Sequence, residues 1–162
     1  MRFGFSYLGL LFLLMLTVPN LLWVRHKPKS YDRYVQNENC ILLLLERVGE
    51  VSVTCIVLFF CDFRGKTLSN NRILLAAAFF LMILYELYWV RYFRSGKTMR
   101  DFYSSLLGIP VAGALLPVAA FLLLGISGRN IPLIAAVILL GIGHIGIHLA
   151  HRAELQKESV KS

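Results

Sequence analysis

The sequence predicts an all-α integral membrane protein, a bundle of five transmembrane helices, and two observations carry this prediction. First, 57% of the 162 residues are hydrophobic and the mean hydropathy is +0.67, whereas soluble domains average about 45–50% apolar residues. Second, only five of the charged residues (17 Lys and Arg, 9 Asp and Glu) lie within the apolar stretches 3–24, 41–61, 73–93, 104–126 and 131–150. These patterns exclude a soluble globule, a disordered chain and a nucleic-acid-binding protein, despite the formal net charge of +8.

The first three helices follow from the apolar stretches themselves. Each stretch is about 20 residues long, which an α-helix needs to cross roughly 30 Å of hydrocarbon. Helix one is expected over 3–24, helix two over 41–61 and helix three over 73–93. The apolar run of helix one is longer than that of a secretory signal, and no cleavage motif precedes Pro19. It is therefore expected to stay in the protein as an anchor.

The fourth helix is expected over 99–126, starting a few residues before its apolar stretch. Thr98 and Asp101 have the spacing of a capping box directly before this stretch, which predicts a helix start near 99. Pro110 and Pro117 lie within the expected helix and should kink it, because proline lacks the backbone N–H that continues the hydrogen-bond ladder.

Small residues on helix four indicate close packing between helices. Gly108 and Ala112 have small-xxx-small spacing, and Gly113 and Ala120 follow. Such a face either packs inside the bundle or docks a second protein. A homo-oligomer or a membrane partner is accordingly expected to bind through helix four.

The fifth helix is expected over 131–152 and completes a single membrane-embedded unit. Asn130 is a candidate N-cap, and Pro132 is favourable in the first turn of a helix. The connections between the five helices are short, so the whole of 1–162 is predicted to be one helical bundle without a soluble domain.

The basic residues predict the orientation of the bundle. Eleven Lys and Arg residues lie in the connections 25–40 and 91–103 and in the tail, against five on the opposite side. By the positive-inside rule the N-terminus is outside and the C-terminus cytoplasmic. The connection 25–40 is expected to contact anionic lipids, at about 1 kcal/mol per basic residue. The expected location is a cell membrane, taken as the plasma membrane of a bacterium.

Charged and polar residues that interrupt the apolar helices form the candidate ligand-binding site. Helix two contains Glu46, Arg47 and Glu50, helix three contains Glu86, and Asn20 lies near the end of helix one. Counted from the helix ends, all five lie in the cytoplasmic half of the membrane. Ionised side chains in hydrocarbon usually face the bundle interior and find partners there, and we expect Arg47 to pair with Glu86.

Histidines on helix five suggest a metal site. His144, His148 and His151 share one helical face, at i, i+4 and i+7. Two imidazoles at this spacing can bind one metal ion or enclose an acid. The sequence does not identify a cofactor; a divalent metal is the candidate, with His144, His148 and Glu50 as its candidate ligands. The alternative is structural: His148 and His151 would stabilise the carboxyl end of the helix.

Three functions remain open from the sequence. The leading one is binding or transport of a small polar or cationic ligand, a divalent metal or a proton, at the cytoplasmic-half site. The others are a non-catalytic subunit or scaffold, and a membrane enzyme acting on a lipid headgroup. No catalytic residue is predicted, because Ser104 and Ser105 lack a neighbouring His or Asp that would activate a nucleophile. This favours a protein that is not an enzyme.

Overall fold

The computed structural model describes residues 4–59 and 69–161. Within these ranges the regular secondary structure is helical, which confirms the all-α prediction. The expected start of helix one at residue 3 and the expected end of helix two at 60–61 lie outside the described residues, as do the basic residues Arg64 and Lys66. The described helices are α1 (Tyr7–Val24), α2 (Tyr31–Val35), α3 (Cys40–Phe59), α4 (Ser69–Arg94), α5 (Met99–Phe102), α6 (Ala112–Ser127) and α7 (Ile131–Lys161).

Three of these helices contain segments long and apolar enough to cross a membrane: Tyr7–Val24, Arg72–Arg94 and Ile131–Val160. The membrane class of the protein is confirmed at this level. α6 is apolar but has only 16 residues, and α3 carries three charged residues among its 20. The count of five spans and the orientation of the termini therefore stay predictions.

Nine of the 16 residues of α6 are buried. This helix packs against α4 and α7, whereas α3 packs along α7, and α1 contacts α3 and α4. Ala112 and Ala120 are fully buried, and a Cβ on Gly113 would come within 2.7 Å of the Tyr88 ring. Ala112, Gly113 and Ala120 thus pack within the chain itself, whereas Gly108 precedes α6 and an added Cβ there would meet no other atom within 4 Å. Binding of a partner through this helix stays a prediction.

α3 and α7 approach each other closely because glycines lie at their contact. A Cβ on Gly143 of α7 would overlap the backbone of Glu46 and Leu42 on α3. Gly49 of α3 lies equally close to the backbone of Leu140 on α7. Small residues permit such an approach where no hydrophobic driving force exists between helices in lipid. The close contact brings Glu46 next to the residue that follows Gly143.

The expectation of one continuous helix over 99–126 is wrong. The capping box is present, with Asp101 N donating to Thr98 Oγ1 at 3.1 Å and Thr98 N donating to Asp101 Oδ2 at 3.0 Å. However, α5 ends at Phe102, and residues 103–111 are not helical. Pro110 lies in this break rather than at a kink, because proline disfavours the helical conformation in the residue before it. Pro117 does lie inside α6.

The break is stabilised by side chains of α4. The Arg91 guanidinium donates to the carbonyls of Ser104 and Ser105 at 2.9 and 2.8 Å, and the Tyr88 hydroxyl donates to the Phe102 carbonyl at 2.6 Å. Non-helical backbone inside a packed protein is tolerated when the protein itself satisfies its polar groups. These bonds place Phe102 and the residue after it against the interior of the bundle.

α7 continues to Lys161, well past the expected end at 152, because the short helix α2 packs against its last turns. The Tyr34 hydroxyl donates to Glu158 Oε2 at 2.7 Å, and Arg33 forms an ion pair with the other oxygen of that carboxylate at 2.7 Å. This docking brings the segment between α2 and α3 to the face of α7 that carries the histidines.

Candidate functional site

A cavity of about 500 Å³ lies between the helices. It is walled by aromatic rings and contains most of the polar residues singled out from the sequence. Its polar and aromatic lining residues are Asn20, Trp23, Lys27, Tyr31, Glu38, Glu46, Arg47, Glu50, Tyr85, Trp89, Phe102, Phe121, His144 and His148. Four of the five predicted ligand-binding residues therefore meet in one cavity, and both predicted metal-binding histidines join them.

Glu46 and His144 form the shortest polar contact across the cavity wall. Glu46 Oε1 lies 2.6 Å from His144 Nδ1, and the two side chains are 17% and 28% exposed. The close approach at Gly143 makes this distance possible, because it removes the side-chain layer that normally separates two helices. Since the carboxylate can only accept, Nδ1 carries the proton, and Nε2 of a neutral His144 is an acceptor.

Arg47 does not pair with Glu86, contrary to the expectation from the sequence. Its Nη1 lies 3.1 Å from Oε2 of Glu50, one turn further along α3, and these side chains are 72% and 55% exposed. Residues three apart face each other on a helix, so this pair forms without any tertiary contact. Glu86 is half-buried on α4 and is not among the cavity-lining residues that the structure describes.

A buried hydroxyl joins two of the histidines. Tyr103 Oη lies 2.9 Å from His151 Nδ1 and 3.2 Å from His148 Nδ1. Nε2 of His151 in turn lies 3.2 Å from Glu38 Oε1, within ion-pair distance but without hydrogen-bond geometry. If Nε2–H of His151 faces the carboxylate, its Nδ1 accepts from Tyr103, and the same hydroxyl accepts from Nδ1–H of His148.

Glu38 and Tyr103 were not singled out by the sequence. Both lie in connections between the apolar stretches, where neither periodicity nor membrane depth distinguishes them. Burial raises the pKa of the Glu38 carboxyl, and the nearby Glu46 raises it further, whereas Arg47 lowers it. Burial also raises the pKa of the Tyr103 hydroxyl, so it stays protonated and can donate.

Two aromatic rings, those of Trp23 and Tyr31, form a right-angled corner in the lining of the cavity. The centroids of Trp23 and Tyr31 are 4.8 Å apart with an interplanar angle of 84°, and Phe102 stacks on Trp23 at 5.6 Å. The ammonium of Lys27 lies 5.3 Å from the Trp23 centroid and 5.9 Å from that of Tyr31. These distances are typical of cation–π contacts.

Asn20 lies on the α1 wall of the cavity. Its Nδ2 donates to the carbonyl of Leu16, one turn earlier in the same helix, at 2.9 Å. Across from it, Tyr85 of α4 directs its hydroxyl at the same carbonyl, at 3.5 Å. Both polar groups therefore engage the backbone of α1 beside Pro19, whose missing N–H weakens the helix there.

The predicted metal ligands meet only in part: the ring centroids of His144 and His148 lie 4.6 Å apart, but each of the three residues also has another partner. His144 contacts Glu46, His148 contacts Tyr103, and Glu50 pairs with Arg47. In the described part of the chain, no group of three or more His, Cys, Asp or Glu residues is arranged to hold a metal ion. The site thus offers a carboxylate–imidazole pair and an aromatic corner rather than a preformed metal cage.

No family model matches this chain, and neither does any curated protein or solved structure. Its function has to be inferred from the chemistry of the cavity.

Proposed function

We propose that this protein binds a small cationic or polar ligand in the cavity between α1, α3 and α7, as a binding protein or a carrier. The observation that supports this most is the Glu46–His144 pair, 2.6 Å apart in the wall of a cavity of about 500 Å³. With His144 neutral, the hydrogen bond supplies no counter-ion and the Glu46 carboxylate keeps its negative charge. That charge attracts a cation, and the partial burial of Glu46, which is 17% exposed, strengthens the attraction.

The charge balance of the cavity also favours a cation. Arg47 and Glu50 neutralise each other at its exposed rim. Glu38 and Glu46 then remain against Lys27 among the lining residues, an acidic excess of one charge when the histidines are neutral. This excess would attract a cation, whereas an anion would meet repulsion.

In this proposal α1, α3, α4, α6 and α7 all cross the membrane, with the N-terminus outside and the cavity open to the cytoplasm. On α3, the exposed apolar residues Ile41, Leu44, Val48 and Val51 recur every three or four positions, as expected for a face in contact with lipid. α6 has a length of about 24 Å, which suffices when neighbouring helices surround it. The cell membrane, in particular a bacterial plasma membrane, is the proposed location.

Movement of the ligand across the membrane would require a change in the helices that close the cavity from outside. Pro117 lines the cavity and lies inside α6. It removes one backbone hydrogen bond from α6 and provides a point at which that helix can bend. If the protein is a carrier, we propose that α6 bends at Pro117 to open the side of the cavity that faces outside.

The two tryptophans of the chain allow a direct binding test, because both Trp23 and Trp89 line the cavity. Purified protein in detergent is titrated at constant ionic strength with tetramethylammonium, Zn²⁺ or acetate while tryptophan fluorescence is recorded. We expect a cation to bind, and Glu46→Gln to weaken its binding about tenfold or more, because the only charge lost lies in the cavity.

Glu86→Gln is the matched control, since Glu86 is a membrane-embedded acid that does not line the cavity. Its affinity should equal that of the wild type. If none of the three probes binds and a second protein copurifies stoichiometrically, the scaffold function is correct instead. If both variants lose affinity equally, the cavity is not the binding site.

A further inference from the structure

We infer that the ligand is an organic ammonium ion and that the Lys27 side chain occupies its place as a tethered competitor. This inference rests on the proposed function and names the class of ligand. The observation behind it is that the aromatic corner already holds a cation, the ammonium of Lys27, over both Trp23 and Tyr31.

The aromatic corner is held in a fixed shape. Its two rings meet nearly at right angles, so a cation placed between them contacts two π-faces at once. Phe102 stacks on Trp23 from behind and meets Tyr31 edge-on, with centroids 6.1 Å apart. A cage built from several aromatic faces is the usual way in which proteins recognise alkylated ammonium groups.

An ammonium fits this corner better than a metal ion does. A divalent metal needs several oxygen, nitrogen or sulfur ligands at about 2.0–2.6 Å, and aromatic faces supply none. An alkylated ammonium is large and weakly hydrated, so it loses little when it leaves water for an aromatic surface. The remaining requirement is a negative charge nearby, and Glu38 and Glu46 line the same cavity.

Lys27 is placed so that a ligand can displace it. The residue is exposed, in the connection directly after α1. Within the described part of the chain its ammonium makes cation–π contacts but no ion pair. The flexible lysine stem can swing the charge into water or towards lipid headgroups at little cost. A bound ammonium would otherwise lie beside a like charge, so binding requires Lys27 to leave.

Tetramethylammonium titration of the full chain, followed by tryptophan fluorescence, tests this inference. Lys27→Met keeps an unbranched apolar stem and removes the charge, so the affinity should rise about tenfold. Lys29→Met is the matched control, because Lys29 is an exposed base of the same connection that does not line the cavity. Its affinity should be unchanged. Tyr31→Leu should lower the affinity about fivefold through loss of one aromatic face.

Two outcomes would overturn the inference while leaving the proposed function intact, and a third would overturn both. If Zn²⁺ binds in a Glu46-dependent manner and tetramethylammonium does not, the ligand is a metal ion. If Lys27→Met and Lys29→Met have the same effect, Lys27 is only an anchor at the membrane surface. If no cation binds the wild type or Lys27→Met, both the inference and the proposed function fail.

Discussion

Glu46 of α3 and His144 of α7 lie 2.6 Å apart although 98 residues separate them in the chain. The contact lies where the two helices approach closely, and it places two polar side chains together in the lining of the cavity. Each residue interrupts an otherwise apolar helix, and each satisfies the polar group that the other buries.

Removal of the His144 imidazole should destabilise the fold. His144→Ala leaves the partly buried Glu46 carboxylate without its donor, which costs about 1–3 kcal/mol. His144→Asn places an amide N–H near the position of Nδ1 and should retain most of the stability. Thermal unfolding in detergent, followed by circular dichroism, measures both variants. Equal losses in the two would mean that the hydrogen bond contributes nothing.

Gly143→Ala should separate α3 from α7. The added methyl group would overlap the backbone of Glu46 and Leu42, which cannot move as a flexible side chain can. The expected loss is about 1–3 kcal/mol, with a parallel weakening of cation binding because Glu46 moves. Gly96→Ala is the control, since its Cβ would make an ordinary contact of 3.4 Å with Asp101. Similar unfolding temperatures for both variants would contradict the close approach of the helices.

Tyr103→Phe should change the protonation pattern of two histidines. The hydroxyl contacts Nδ1 of both His148 and His151, and its loss leaves two buried ring nitrogens without a partner. We expect a stability loss of about 1–3 kcal/mol and a shift in the ¹⁵N NMR signals of both rings. Tyr7→Phe, at an exposed tyrosine, should change neither. Unaltered histidine signals in Tyr103→Phe would show that the tyrosine does not set their tautomers.

Stability should depend on pH through Glu38. Burial raises the pKa of this carboxyl above its usual value of 4.5. The unfolded state therefore loses its proton first, and the contribution of Glu38 to stability falls as the pH rises from 4.5 towards the folded-state pKa. Glu38→Gln cannot ionise, so its stability relative to the wild type should improve between about pH 4 and pH 7. Unfolding temperatures across this range measure the difference. A difference that is constant with pH would contradict the prediction.

The topology predicts which sites face outside. In a cysteine-free background, Arg129→Cys lies between α6 and α7 and should react with a membrane-impermeant maleimide in intact cells. Val160→Cys, near the end of α7, should react only after the membrane is permeabilised. Reaction of both sites in intact cells would mean that α7 does not cross the membrane. The reverse pattern would mean that the orientation of the bundle is opposite to the predicted one.

The sequence alone determined the membrane class, the positions of α1, α3, α4 and the start of α7, and six of the polar residues that line the cavity. Apolar runs and the few charges inside them are local features of the sequence. Because a charge in lipid is costly, such charges indicate a candidate site even when the packing of the helices is unknown. The pairing of Arg47 with Glu50 is local too, since i,i+3 spacing on one helix brings them together. The expected Arg47–Glu86 pair assumed a contact between helices that does not form among the described residues.

Only the tertiary structure decided which helices meet and which connection residues join the site. Glu46 lies opposite His144 because glycines let α3 and α7 approach, and no periodicity within either helix specifies its neighbour. Helix four is broken because Arg91 and Tyr88 of another helix satisfy the carbonyls that the break exposes. Glu38 and Tyr103 reach the histidines only after these elements dock, since contacts between distant segments depend on the packed backbone.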